Sequence, residues 1–146
     1  MDNFMDKARK SRFLIRDDST IFDSVTTLTW KANDSQLDLE KEVSWDEAEA
    51  YRIDMNEKKF ADHDDWRMPT IHEAQSLYDK EKLNKDIKGA DIHMDSVFPP
   101  GAANCTWTTD VRGGEAQIFF YINGCGYWYG KNDQTISHGV RLVRRD

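Results

Sequence analysis

Long apolar runs are missing from this chain of 146 residues, and with them any segment able to span a bilayer as a helix, which takes about 20 apolar residues. No apolar stretch follows the charged opening residues Met1-Asp2-Asn3-Phe4-Met5-Asp6-Lys7, so no secretory leader is read there. A cytoplasmic location is expected on that ground, or a periplasmic or extracellular one if an initiator Met has replaced a leader. Cysteine is scarce: Cys105 and Cys125 are too few for a disulfide scaffold. There is no low-complexity tract and no internal repeat. EF-hand, H-E-x-x-H, hydrolase, glycine-rich phosphate-loop and cofactor fingerprints are all absent. Basic residues are outnumbered, 20 Lys and Arg against 27 Asp and Glu, for a formal net charge of −7. This favours solubility and removes nucleic acid as the default partner. The basic residues gather at the two ends, as Lys7, Arg9, Lys10 and Arg12 and as Arg141, Arg144 and Arg145. Solvation or ion pairing is expected there rather than phosphate binding.

What is present is aromatic mass. Hydrophobic residues make up 38% of the chain, with five Trp, five Tyr and seven Phe, so large rings should carry much of the buried area. The length suits one core rather than two. The expected organisation is a flexible polar segment over 1–11 and a single domain over 12–146.

The most informative local signal is Asp65-Trp66-Arg67-Met68-Pro69-Thr70-Ile71-His72-Glu73-Ala74. Pro69 biases Met68 toward extended geometry, so 66–68 should be strand-like. Thr70 and Glu73 have capping-box spacing, which starts a helix expected over 70–80 with Ile71, Ala74, Leu77 and Tyr78 as its apolar stripe. Ser44 and Glu47 repeat the capping signal for a helix over 44–59, with Ala48, Tyr51 and Met55 on one face. Strands are expected over 12–17, 20–23 and 26–30, and a polar loop over 33–42. Residues 81–104 read as irregular. Strands over 105–109, 115–122 and 127–129 follow, separated by Arg112-Gly113-Gly114 and Asn123-Gly124 turns. A last strand over 139–144 is expected to alternate Val140 and Leu142 against Arg141 and Val143. Strands, two helices and an antiparallel meander make an α+β domain.

With these pieces in place the chain resembles the Lcl C-terminal domain family, bacterial domains of largely unassigned function named after a collagen-like adhesin. The matching residues are Thr27-Leu28-Thr29-Trp30, Ser44-Trp45-Asp46-Glu47-Ala48, Asp65-Trp66-Arg67-Met68-Pro69-Thr70, Glu73 with Leu77, Phe98-Pro99, Thr106-Trp107-Thr108-Thr109 and Val140-Arg141-Leu142-Val143-Arg144. They run in the family's order over 12–145. The family in turn resembles the formylglycine-generating-enzyme branch of the C-type lectin-like fold. That resemblance implies two helices packed on antiparallel sheets, N- and C-terminal strands that pair, and a loop-rich region on the later strands. The superfamily contains copper-dependent oxidases and also domains that only bind, so the fold alone does not choose.

The oxidases of that branch hold copper with two closely spaced cysteines near the C-terminus, whereas Cys105 and Cys125 stand 20 residues apart. With a turn near Arg112-Gly113, Cys105 should lie opposite Phe120 with Cys125 beyond it. Free thiols, a structural disulfide and a soft Cu(I) pair all remain open readings. Carboxylate and imidazole ligands offer weaker metal candidates: Asp62-His63-Asp64-Asp65, and Asp91, His93 and Asp95, which an extended backbone would put on one face. Calcium is the cofactor they would suit; otherwise none is expected. Asp65 and Arg67 are read as structural, with Arg67 suited to a bidentate carboxylate bond. His72 and His138 have no nucleophile or carboxylate at suggestive spacing, and Ser137-His138 is not a dyad, since adjacent strand residues point apart.

The C-terminal hairpin carries the binding candidates. Tyr121, Tyr127, Trp128 and Tyr129 lie among Asn123, Lys131, Asn132, Asp133 and Gln134, stiff rings beside adaptable polar groups. Tyr127 and Tyr129 should share one face, with Trp128 on the other and packed in the core. Candidate ligand-binding residues are therefore Asn123, Tyr127, Tyr129, Asn132, Asp133 and Gln134. The expectation is a non-enzymatic domain that binds a protein or glycan. A degenerate copper-dependent cysteine oxidase and a structural or assembly module are the alternatives.

Overall fold

A computed structural model of the chain describes residues 11–133, 135 and 137–145. The 1–10 part of the expected N-terminal segment, and Gln134 among the candidate residues, lie outside the described residues. The architecture is mixed α+β, with helices packed against antiparallel sheets.

The first sheet is formed by β1 (Phe13–Ile15), β2 (Thr20–Asp23), β3 (Leu28–Lys31) and the C-terminal β9 (Val143–Arg145), in the order β1-β2-β3-β9. The expected pairing of the two chain ends is thus present, through Trp30 opposite Val143. The β1–β2 turn is set by Asp18, whose carboxylate accepts from the Thr20 N–H at 3.2 Å. Ile21, Leu28, Trp30 and Val143 are buried on this sheet.

Both capping boxes are made. The Ser44 and Glu47 pair opens α2 (Trp45–Glu57), and the Thr70 and Glu73 pair opens α3 (Ile71–Ser76). Ala48, Tyr51 and Met55 are the buried face of α2, as their spacing predicts. The third helix is shorter than the pattern predicts. Its last turn tightens into i−3 bonds, and the Tyr121 hydroxyl donates to the Ala74 carbonyl while the Asp79 N–H turns away to His93. The expected 33–42 loop contains a further helix, α1 (Ser35–Leu39), whose N-cap Asp34 accepts from the Leu37 N–H at 3.0 Å. A two-stranded ribbon, β4 (Asn84–Lys85) with β5 (Asp91–Ile92), replaces part of the expected irregular stretch.

The third sheet is the meander β6 (Cys105–Arg112), β7 (Glu115–Phe120) and β8 (Cys125–Gly130), with β8 at its edge. Gly124 closes the second turn at φ +74°, and a Cβ there would come within 2.7 Å of the Tyr78 ring. The meander divides the interior in two. Cys105, Trp107, Ala116 and Ile118 pack with α2, Trp66, Met68, Val140 and Leu142. Phe119 and Tyr121 pack with α3, Trp30, Phe98 and Val143.

The run leading into β9 ties these layers together. Gly139 accepts from the Trp107 N–H, Val140 from the Ser35 N–H and Leu142 from the Lys31 N–H. Only Val143–Arg145 is a ladder strand, but the expected alternation holds by face: Val140 and Leu142 pack in one half of the interior, Val143 in the other, with Arg141 over Phe98 there, and all four are buried. Both sides of the run are covered, so a period of two has no solvent face to report. Arg141 is correspondingly not a solvated end. It donates to the Lys31 and Ala32 carbonyls and lies over the Phe98 ring. No helix among the described residues is long and apolar enough to cross a membrane.

Candidate functional site

The 65–74 motif is framework. Arg67 exchanges backbone hydrogen bonds with Val143 in both directions, at 3.0 and 2.9 Å. Its guanidinium makes a bidentate bond to Glu73, at 2.7 and 2.8 Å, and Glu73 also receives the Thr70 N–H at 2.9 Å. Burial opposes ionisation of Glu73, but Arg67 and the Thr70 N–H together hold its carboxyl below the usual range. Asp65 is bonded by Arg144, which lowers its pKa. Trp66 is buried, and Asn56 closes on its backbone N–H and C=O at 2.8 and 2.9 Å. The expectation of structural roles for Asp65 and Arg67 therefore matches their geometry: one motif binds the C-terminal strand and starts a helix.

Cys105 pairs with Phe120, as expected, although the turn lies at Gly113-Gly114 and a register shift between Trp107 and Val111 makes up the difference; Phe120 pairs in turn with Cys125. The two cysteines thus stand on either side of β7. Neighbouring strands lie about 4.8 Å apart, which puts these two backbones about 10 Å from each other, beyond disulfide reach. Both thiols are free. Cys105 is buried and its pKa is pushed up to about 12 by burial, whereas Cys125 is exposed. The structural-disulfide reading is thereby corrected, and the two sulfurs are not assembled as a ligand pair. A thiol-reactive dye applied to the native protein is expected to modify one equivalent, at Cys125, and a second only after unfolding. Two equivalents modified in the native state would contradict this placement.

The weaker metal candidates are engaged separately. Asp91 ion-pairs with Lys85, His93 Nδ1 sits 3.0 Å from the Lys82 carbonyl, and Asp95 accepts from the Val97 N–H at 2.8 Å. Asp62 lies in a one-turn helix at Phe60–Asp62, with His63 following as its extended C-cap. Among the described residues no group of three or more His, Cys, Asp and Glu is arranged to hold a metal ion.

The hairpin is open to solvent. Tyr127, at 46% exposure, and the half-buried Tyr129 share a face with Phe120, whose ring lies 5.8 and 5.9 Å from theirs. Trp128 is on the other face but is not in the core. Ile71 of α3 packs over Gly126 on that face, and two residues further on Trp128 is half-buried under the Arg112 guanidinium at 4.2 Å. Tyr121, by contrast, is buried. Asn123 is exposed and accepts from the Cys125 N–H at 3.1 Å. Asn132 is exposed in the turn after β8. Asn123 and Asn132 therefore mark opposite ends of the strand, and the candidate residues are strung along it rather than gathered at one point.

Of them, Tyr129 lines a cleft of about 430 Å³. Phe120, Ile122 and Tyr129 give it an apolar side chain set, and Asn104, Thr135 and Ser137 a polar one. Glu42 and Lys88 add one charge of each sign. The Asn104 side-chain oxygen is buried without a hydrogen-bond partner among the described residues. A second cavity, of about 270 Å³, shares Glu42 and is lined by Ser44, Glu47, Asp133 and His138. The Asp133 carboxylate accepts from the Thr135 N–H at 2.8 Å and from the Thr135 hydroxyl at 2.7 Å. Sequence reasoning missed Glu42, Asn104, Phe120, Thr135 and Ser137. They come from four separate stretches of chain and no local spacing links them. His138, for which the sequence offers no carboxylate at suggestive spacing, faces Asp133, five residues earlier.

Chemically, such a cleft can stack a flat or apolar group on its rings and hydrogen-bond its polar substituents. The model of the Lcl C-terminal domain family matches residues 19–144 of the chain. No curated protein and no solved structure matches it.

Proposed function

The chain belongs to the Lcl C-terminal domain family, and we propose that it is a non-enzymatic domain that binds a protein or glycan through its C-terminal hairpin and loops. In this reading the finer architecture is that of the C-type lectin-like fold, in its formylglycine-generating-enzyme branch. The observation that carries the reading is the edge strand β8, which leaves Tyr127 and Tyr129 accessible beside the Phe120–Tyr129 cleft. Rings held by a sheet give contact area at low entropic cost, and the nearby hydroxyl and amide groups supply direction.

The test is a glycan array and a pull-down with the whole chain, repeated with Tyr127→Ala and Tyr129→Ala. A captured ligand should lose about 2 kcal/mol, about thirtyfold in affinity, on removal of a ring that anchors it. Both variants should stay folded, because neither tyrosine is fully buried. Undiminished binding by both variants would sink this reading.

A further inference from the structure

His138 is 1% exposed, yet neither of its ring nitrogens has a hydrogen-bond partner among the described residues. Its ring is packed between Trp107 and Tyr129, with centroids 4.9 and 5.5 Å away. Buried polar atoms left unpaired are costly and uncommon, and they call for a reason. Nε2 lies 3.4 Å from Asp133 Oδ1, within ion-pair distance. That same oxygen accepts both hydrogen bonds from Thr135. Thr135, Ser137 and Tyr129 all line the neighbouring cleft. A single carboxylate oxygen is therefore shared between the imidazole and the wall of the cleft.

The other groups around His138 are few. Glu42 acts on it through space and lines both cavities. Glu47 and Lys41 line the His138 cavity and pair with each other at 3.4 Å, while Val43 and Ser44 carry no charge. The Cys105 thiol, which donates to the Ser137 carbonyl, is kept protonated by burial. Burial holds the imidazole neutral, with Asp133 and then Glu42 working in the opposite direction, and the net effect lowers its pKa.

We infer that His138 is a proton-operated latch on the cleft: once protonated, it takes Asp133 Oδ1 into an ion pair, and Thr135 loses its anchor. The proton comes from solvent, and the new imidazolium N–H donates to the carboxylate. Binding at the cleft would then change between neutral and mildly acid pH. This consequence rests on the reading of the cleft as the binding site, but the latch itself can be measured without a ligand.

The experiment is an NMR pH titration of the labelled whole chain from about pH 7.5 to about pH 5. The His138 imidazole should titrate with a midpoint below 6.5, and the Thr135 and Ser137 amides should shift with that same midpoint. Asp133→Asn should lower the His138 midpoint further, since the carboxylate is what favours the imidazolium. His138→Gln should abolish the shared transition. Amides that stay still while His138 titrates, or that move unchanged in His138→Gln, would overturn the latch. If His138→Gln fails to fold, an unmoved midpoint in Asp133→Asn overturns it instead. A shared transition in a protein that binds nothing on the array leaves the latch standing and removes the binding reading. Binding without the transition does the reverse.

Discussion

Asp34→Ala is expected to destabilise the domain by about 3–5 kcal/mol, the cost of breaking a buried charge arrangement by removing one partner. Asp34 is buried, and it caps α1 through the Leu37 N–H at 3.0 Å while accepting the Ala103 N–H at 2.9 Å. One carboxylate thus joins the first helix to the chain just before β6. Burial raises its pKa, and the charge of buried Arg141 acts to lower it. Without Asp34, the Leu37 and Ala103 N–H groups lose their acceptor and buried Arg141 loses a nearby opposite charge. Asp34→Asn separates the contributions, since it keeps a cap acceptor and gives up the charge. It should therefore cost less than the alanine variant. Urea denaturation of the two variants checks this. A loss under about 1 kcal/mol for Asp34→Ala would mean that the cap and the charge are both dispensable.

Trp66→Ala should cost about 3–5 kcal/mol, as removal of a fully buried Trp does. Its ring packs edge-on to Phe60 at 5.7 Å, and its indole N–H donates to the Phe60 carbonyl at 2.9 Å. The cavity cannot easily collapse, because Asn56 clamps the Trp66 backbone on one side and the Arg67–Val143 bridge holds it on the other. Domains of this kind are stable by only about 5–15 kcal/mol, so the variant should melt well below the parent or fail to fold at physiological temperature. Thermal unfolding followed by circular dichroism reads the effect. A near-parental melting temperature would contradict the assignment of the 65–74 motif to the framework.

The parts of this fold that were legible in the sequence are those set by neighbours along the chain. Two capping boxes, at Ser44/Glu47 and Thr70/Glu73, start helices where their spacing places them, because the hydrogen bonds that define them span three residues. Cys105 does stand opposite Phe120, but the turn alone does not put it there: Arg112 faces Glu115 across the turn, and a bulge between Trp107 and Val111 shifts the register. What escaped depends on distant partners. Helix α1 has five residues and no apolar period, and it is held by a cap whose carboxylate also reaches Ala103. The end of α3 is decided by Tyr121, 47 positions from Ala74. Arg141 looked like part of a solvated tail, but it is enclosed where the first sheet meets the segment before β9.

The candidate site divides in the same way. Tyr127 and Tyr129 were readable as one face of a strand, from the period of two. The depth of the cleft beside them was not, because Asn104 and Ser137 reach it from stretches flanking β6 and β9. Trp128 shows the limit of face assignment on an edge strand. Alternation says which side a ring takes, but only the reach of α3 decides whether that side is covered.

The central claim is that this domain binds through its C-terminal cleft, and the most direct measurement is an NMR chemical-shift map of the labelled chain with a ligand captured from the array or pull-down. The perturbed signals should cluster on Phe120, Tyr127, Tyr129, Thr135 and Ser137, with the Asp65–Arg144 framework undisturbed. Perturbations centred elsewhere, with these five unmoved at saturation, would contradict it.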